Sequence, residues 1–220
     1  MTVRALDLPG HGATPNRGVV GRASMTDYAK AVASACKECA EPPVLIGHSM
    51  GGLVCQLAAV QASVRGLVLL APSAPWGVHG STIEEAVSAA SLMGMGPFWS
   101  IPIDPDYALA AQYSLDRFPA ETRKEIYRRM GPESGRALWE TLNWWLDPFM
   151  TTNVAAARIK VPVLAIAGGR DLIHPPVTVR QTAARLSGTV KVFDRMSHWL
   201  IGEPGWEDVA QACLDWVAQS

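Results

Sequence analysis

Residues 44–53 read Val-Leu-Ile-Gly-His-Ser-Met-Gly-Gly-Leu, an apolar run that breaks into a glycine-rich turn. The run predicts a short buried strand, and the Ala- and Leu-rich residues after the turn predict a helix. Ser49 lies at the apex of the turn. Gly47 and Gly51 flank it, and we expect that a side chain at either position would collide with neighbouring backbone. The backbone N–H of Met50 would then lie at the positive end of the helix, where it can stabilise an oxyanion.

Taken alone, the Gly-x-Ser-x-Gly pattern has two interpretations. It is typical of a turn that exposes a nucleophilic serine, and it also occurs as a glycine-rich turn that has no chemical role. The strand before it, the helix after it and suitable partners further along the chain favour a nucleophile at Ser49.

Composition excludes several classes of protein. The chain has 220 residues, 49% of them apolar, which suits one domain with a sizeable core. Its net charge of −1 argues against nucleic-acid partners. No apolar run is long enough to span a membrane and no signal-peptide pattern is present, so we expect a cytoplasmic location. Cys36 and Cys39 have Cys-x-x-Cys spacing without a second pair, so we expect buried structural cysteines and neither a metal nor a cofactor.

Strand-like and helix-like segments alternate along most of the chain. Strands are predicted at residues 2–8, 44–46, 64–70, 161–167 and 189–193, and helices at 26–40, 52–61, 176–186 and 207–217. This alternation predicts an α/β fold with a doubly wound, mostly parallel sheet. We assign residues 1–75 and 154–220 to this core. Sites on such sheets lie at the carboxyl ends of the strands, where Ser49, Asp171 and His198 are all expected.

Residues 76–153 interrupt the alternation, and we interpret them as an inserted helical cap or lid. Strand-like runs are missing, and helices are predicted around 82–93, 107–115, 120–130 and 133–146. A helical insertion has little core of its own, so we expect it to pack over Ser49. The residues predicted to contribute to the substrate pocket are Trp76, Trp144, Trp145, Trp199 and His48.

A serine hydroxyl needs a base to remove its proton and an acid to orient that base. Of the five histidines, His198 lies in a loop directly after the final strand and is the predicted base. Asp171 follows a strand that ends in a Gly-Gly turn, so its carboxylate can project along the rim of the sheet toward His198. Its rival, Asp194, closes the final strand and is expected to cap the loop instead.

The segments around these three residues resemble the α/β-hydrolase superfamily, in particular its capped carboxylesterase and lipase-like members. The similarity rests on Gly-His-Ser-Met-Gly-Gly, Gly-Arg-Asp and Ser-His-Trp, in that order, and extends from Asp-Leu-Pro-Gly-His-Gly at residues 7–12 to the last helix. It implies a serine hydrolase that cleaves a small to medium apolar carboxylic ester through an acyl-enzyme. The superfamily also includes thioesterases, C–C bond hydrolases, lactonases and cofactor-free haloperoxidases. The turn that holds the nucleophile in this superfamily is called the elbow, and here it has Ser49 at its apex. A serine rather than an aspartate at this position argues against dehalogenases and epoxide hydrolases.

The N-terminus departs from the family pattern. Family members normally have three earlier strands, and the third carries a loop that donates a second oxyanion N–H. The chain is therefore a fragment, or another subunit supplies the strand, or Thr2–Leu8 pairs directly with Val44–Ile46. We expect the last of these, which would bring Gly12 to the elbow as the second oxyanion donor and leave an edge strand for a homodimer. Because this loop is missing, a second interpretation is a non-catalytic ligand-binding protein on a hydrolase scaffold.

Overall fold

The computed structural model describes residues 2–79 and 98–219. Its strands are β1 (Val44–His48), β2 (Gly66–Leu70), β3 (Pro102–Ile103), β4 (Glu133–Ser134), β5 (Val163–Gly168) and β6 (Thr189–Phe193). The four longer strands form one parallel sheet in the order β1-β2-β5-β6, and β3 pairs antiparallel with β4. Because all four strands of the main sheet run the same way, their carboxyl ends meet at one edge.

The helices in residues 2–79 and 98–219 are α1 (Arg17–Val20), α2 (Met25–Lys37), α3 (Met50–Ala59), α4 (Ala120–Arg128), α5 (Gly135–Leu142), α6 (Pro176–Arg185) and α7 (Trp206–Gln219). Of these, α2, α3, α6 and α7 pack in the layers that cover the main sheet. None of the helices in the described ranges combines the length and the apolar character that a bilayer crossing requires.

The two central strands of the sheet, β2 and β5, are buried on both faces. In β2, Leu67 and Leu69 belong to one apolar cluster, whereas Val68 and Leu70 belong to another. Successive residues of a strand point to opposite faces, so β2 lies between two layers. Helices α2, α3 and α6 contribute to the first cluster, and α7 contributes to the second. The predicted doubly wound α/β fold is confirmed.

The strand predicted at Thr2–Leu8 is wrong. The segment has no strand structure, and β1 at the edge of the sheet pairs, within the described ranges, with β2 alone. Leu8 packs against the first apolar cluster, while the Ile46 side chain is 53% exposed. Strand propensity depends on neighbouring strands, and in residues 2–79 and 98–219 no adjacent backbone forms a ladder with this segment. The predicted pairing with Val44–Ile46 is therefore also wrong.

The insertion differs from the predicted strand-free helical cap, because it contains the β3–β4 pair. The helix predicted over 133–146 is shorter, since α5 ends at Leu142 and a 3₁₀ turn follows at Trp144–Leu146. Helix α4 confirms the helix predicted around 120–130. The one around 107–115 is also confirmed, as a short α-turn that continues into a π-helix. The predicted helix over 82–93 lies outside the described residues.

Polar contacts hold the described part of the insertion against the N-terminal part of the chain. The Tyr28 hydroxyl donates to the Glu133 carboxylate at 2.6 Å, and the backbone N–H of Met25 donates to the Glu140 carboxylate at 2.8 Å. Glu140 is buried, and its burial raises its pKa. Hydrogen bonds to charged groups are stronger than those between neutral groups, and breaking them in a buried setting leaves unsatisfied partners.

Candidate active site

The turn between β1 and α3 holds Ser49 in a backbone conformation that residues other than glycine rarely adopt. Its φ is 53° and its ψ is −124°. The Ser49 N–H donates to the Leu70 carbonyl of the adjacent strand at 2.9 Å, which fixes the turn against the sheet. A Cβ at Gly47 would overlap the Gly51 carbonyl, so the predicted need for glycine at position 47 is confirmed.

The predicted steric role of Gly51 is wrong. A Cβ at that position would meet no atom of the described residues within 4 Å, whereas a Cβ at Gly52 would lie 2.8 Å from Cβ of Pro72. The reason is helical geometry, because α3 has already begun at Met50 and successive helical residues face different directions. Position 51 faces open space, and position 52 faces the chain that leaves β2.

Three predicted residues meet at the carboxyl edge of the sheet. His198 Nε2 lies 3.1 Å from Ser49 Oγ, and His198 Nδ1 lies 2.9 Å from Asp171 Oδ2. A carboxylate only accepts, so Nδ1 carries a proton that it donates to Asp171. In the neutral ring Nε2 is then the acceptor, and it faces the Ser49 hydroxyl. The structure thus brings these side chains together in the arrangement that activates a serine.

Asp171 is 2% exposed, and both of its carboxylate oxygens accept hydrogen bonds. Oδ1 accepts the backbone N–H groups of Ile173 and His174 at 2.8 and 2.9 Å, and Oδ2 accepts from His198. Burial by itself raises the pKa of this carboxyl, but the His198 ring and the hydrogen bonds outweigh burial and hold the pKa below its usual range. The rival Asp194 is exposed, in agreement with its lower ranking.

His48 braces the loop that carries His198. Its Nε2 lies 2.8 Å from the His198 carbonyl oxygen, and its ring lies 4.9 Å from the His198 ring and 5.8 Å from the Trp199 ring. A carbonyl only accepts, so Nε2 must be the protonated nitrogen of His48. Burial, followed by the neighbouring His198, lowers the pKa of His48 to about 3, so the ring is neutral. The predicted contact of His48 with substrate stays a prediction.

Two further residues lie at this edge. The sequence carries no signal for Ser73 and indicates only a turn or supporting residue for His174. Ser73 and His174 are both buried, and Ser73 Oγ lies 3.0 Å from His174 Nε2. The ring of His174 also lies 5.3 Å from that of His198 in an edge-to-face arrangement. The spacing of His174 three residues after Asp171 was the available signal, since it places the histidine in the same strand-end turn.

For an oxyanion, the structure offers the start of α3. Met50 is the first residue of that helix, and the first N–H groups of a helix have no partner within it. The predicted second donor, Gly12, belongs to a turn whose neighbour His11 contacts the Tyr28 ring at 5.7 Å and the Glu133 carboxylate at 3.4 Å. Residues 2–8 do not pair with β1, so strand pairing does not place this turn next to Ser49. A donor role for Gly12 stays a prediction.

Residues 2–212 match the family described as the alpha/beta hydrolase family. The chain belongs to this family. A monoacylglycerol lipase from Paleococcus ferrophilus is 24% identical with a TM-score of 0.68, over 96% of this chain and 80% of that one. A methylesterase from Arabidopsis is 17% identical with a TM-score of 0.69, over 98% and 86%. A thermophilic esterase from Thermogutta terrifontis is 20% identical with a TM-score of 0.63, over 97% and 78%. At these identities they show a shared fold.

A curated relative of this hydrolase chain is more similar in sequence. The dihydrolipoyllysine-residue acetyltransferase component of the acetoin cleaving system of Cupriavidus necator is 31% identical over 201 residues. The match covers 90% of this chain and 51% of the relative. The chain therefore spans about half the length of that relative.

The tryptophans predicted to line the hydrolase pocket fall into two groups. Trp199 lies beside His48, as described above. Trp76 and Trp144 stack edge to face at 5.5 Å, and Trp144 contacts Trp145 at 6.1 Å and His79 at 5.1 Å. Trp145 is 55% exposed. The described ring contacts of this second group are with one another and with His79, so a role in substrate binding stays a prediction.

In the part of the chain that the structure describes, His, Cys, Asp and Glu side chains form no group of three suited to a metal ion. All four cysteines are free thiols. Cys36 is buried as predicted, but the prediction for Cys39 is wrong, because α2 ends at Lys37 and Cys39 lies exposed beyond it.

Proposed function

We propose that this protein is a serine hydrolase that cleaves a small to medium apolar carboxylic ester through an acyl-enzyme. The observation that carries the proposal is the chain of contacts from Ser49 Oγ through His198 to the buried Asp171 carboxylate. Membership of the alpha/beta hydrolase family supports it. The neighbouring solved structures described as a lipase, a methylesterase and an esterase agree with ester chemistry.

The reaction follows from the protonation pattern of the site. His198 Nε2 removes the Ser49 proton as Oγ attacks the ester carbonyl carbon, and Asp171 stabilises the resulting imidazolium. The carbonyl oxygen becomes an oxyanion beside the Met50 N–H. As the carbon–oxygen bond to the alcohol breaks, His198 returns its proton to the departing oxygen. Water then repeats the sequence on the acyl-Ser49 ester, which releases the carboxylic acid and restores the serine.

The apolar character of the substrate is argued from the surroundings of the triad. His48 is neutral and Trp199 lies against it, so this side of the site presents rings without charge to an acyl or alcohol group. Such surfaces favour apolar groups over charged ones, because burying an unpaired charge is costly.

A burst experiment with p-nitrophenyl acetate, butyrate and octanoate tests the proposal. We expect a burst of p-nitrophenol equal to the enzyme concentration, followed by slower turnover, and no burst from Ser49→Ala. Ser63→Ala, which changes an exposed serine, is the matched control and should behave as wild type. A wild-type protein that binds the esters without any burst would instead be the non-catalytic ligand-binding protein.

The acetyltransferase relative favours one second candidate, in which a thiol rather than water accepts the acyl group from Ser49. The name of that relative describes transfer of acetyl groups, and the match covers most of this chain. Adding dihydrolipoamide to the p-nitrophenyl acetate assay distinguishes the two. Faster p-nitrophenol release with formation of S-acetyl dihydrolipoamide supports transfer, and an unchanged rate with acetate as the product supports hydrolysis.

A further inference from the structure

Ser49 and four residues near it form a closed ring of hydrogen bonds. One half is the path from Ser49 through His198 to Asp171. The other half returns by a different route: the His174 N–H donates to Asp171 Oδ1 at 2.9 Å, His174 Nε2 lies 3.0 Å from Ser73 Oγ, and the Ser73 N–H donates to the Ser49 carbonyl at 3.0 Å.

This ring joins the ends of the four strands of the main sheet. Ser49 follows β1, Ser73 follows β2, Asp171 and His174 follow β5, and His198 follows β6. Loops at strand ends are more mobile than the strands, so their relative positions depend on contacts of this kind. Since β2 lies between β1 and β5, Ser73 follows the strand that separates the strand of the nucleophile from the strand of the acid.

Burial gives the second half of the ring its strength. Ser73 is 3% exposed and His174 is 7% exposed, so a polar atom that lost its partner there would not find water as a full replacement. His174 also touches the ring of His198 edge to face, which limits tilting of the base. The pair therefore restrains both the backbone of the nucleophile and the groups that orient the base.

We propose that Ser73 and His174 are a positioning pair that holds Ser49 and Asp171 at the separation that His198 bridges. The inference rests on the proposed function, because it concerns the same triad. Ser73 acts through the Ser49 carbonyl, and His174 acts through the Asp171 carboxylate and the His198 ring.

The rate at which a fluorophosphonate probe labels Ser49 tests the pair, together with kcat and KM for p-nitrophenyl butyrate. Ser73→Ala should lower the labelling rate and kcat about tenfold with little change in KM, because small misplacements of catalytic groups are costly. Ser73→Thr, which keeps the hydroxyl, should restore most of the rate. His174→Phe keeps the ring contact but loses Nε2, and should also lower kcat. Because the two residues act as one unit, the double variant should be no slower than the slower single variant.

A matched control separates positioning from general destabilisation. Ser24→Ala removes the hydroxyl of another buried serine, which caps α2, and should lower the melting temperature while kcat stays unchanged. Wild-type labelling of Ser73→Ala, or single losses that multiply in the double variant, would overturn the inference. If circular dichroism shows that Ser73→Ala does not fold, the labelling rate, kcat and KM of His174→Phe test the inference in its place. A wild-type protein that the probe does not label at Ser49 would refute the proposed function itself.

Discussion

The His48 ring makes the stability of this protein depend on pH in a predictable direction. Its pKa is lowered from 6.5 to about 3, first by burial and then by the adjacent His198. At pH 5 the unfolded chain therefore binds a proton at this residue that the folded chain does not. Stability falls as the pH falls wherever the unfolded state binds more protons, so the loss begins near pH 6.5 and continues down to about pH 3.

The size of the effect follows from the two pKa values. Lowering the pH from 8 to 5 would cost about 2 kcal/mol of unfolding free energy for a fully buried ring. The His48 ring is half-buried, so solvent screening reduces this to about 1–2 kcal/mol. His48→Gln keeps an N–H donor for the His198 carbonyl but does not titrate. Its loss of stability between pH 8 and pH 5 should therefore be smaller than that of wild type by this amount.

Urea unfolding at pH 8 and pH 5 measures the difference. His79→Gln applies the same substitution to an exposed histidine and is the matched control for the loss of an imidazole. Equal losses in wild type and His48→Gln would show that His48 protonates as easily in the folded chain as in the unfolded one, and the argument from burial would be refuted.

Two further predictions concern the turn and the acid. Asp171→Asn should lower kcat by about 10³–10⁴, because an amide cannot hold the His198 tautomer and stabilise the imidazolium, whereas Asp194→Asn should change kcat less than about twofold. Steady-state kinetics on p-nitrophenyl butyrate measures both, and the opposite ranking would move the acid to Asp194. Gly47→Ala should destabilise the fold by about 2 kcal/mol or more through overpacking, while Gly51→Ala should be tolerated or slightly stabilising. Thermal unfolding compares them, and equal losses would contradict the open space found beside Gly51.

The fold class and the three side chains at the carboxyl edge were predictable from sequence because each has a local signal. An apolar run followed by Gly-x-Ser-x-Gly indicates a strand–turn–helix unit with Ser49 at its apex. Asp171 and His198 each follow an apolar strand. In a parallel sheet all strand ends meet at one edge, so three separate local patterns were enough to predict that these residues approach one another.

The errors arose where a local pattern needed a partner from elsewhere in the chain. Thr2–Leu8 has strand-like residues, yet no backbone in the described part of the chain pairs with it. Glycine at position 51 was expected to relieve crowding, but crowding depends on what packs against the turn, and Pro72 packs against position 52 instead. Both outcomes are decided by atoms that are distant in sequence.

The polar network behind the triad was decided by tertiary structure alone. His48 meets the carbonyl of a residue 150 positions further along the chain, and Ser73 meets His174 across 101 positions. A hydrogen bond forms only within about 3.5 Å, so a shift of one residue in strand register or a small rotation of a loop would separate these atoms. The sequence determined which groups stand at each strand end, but the packing of β1, β2, β5 and β6 determined which of them touch.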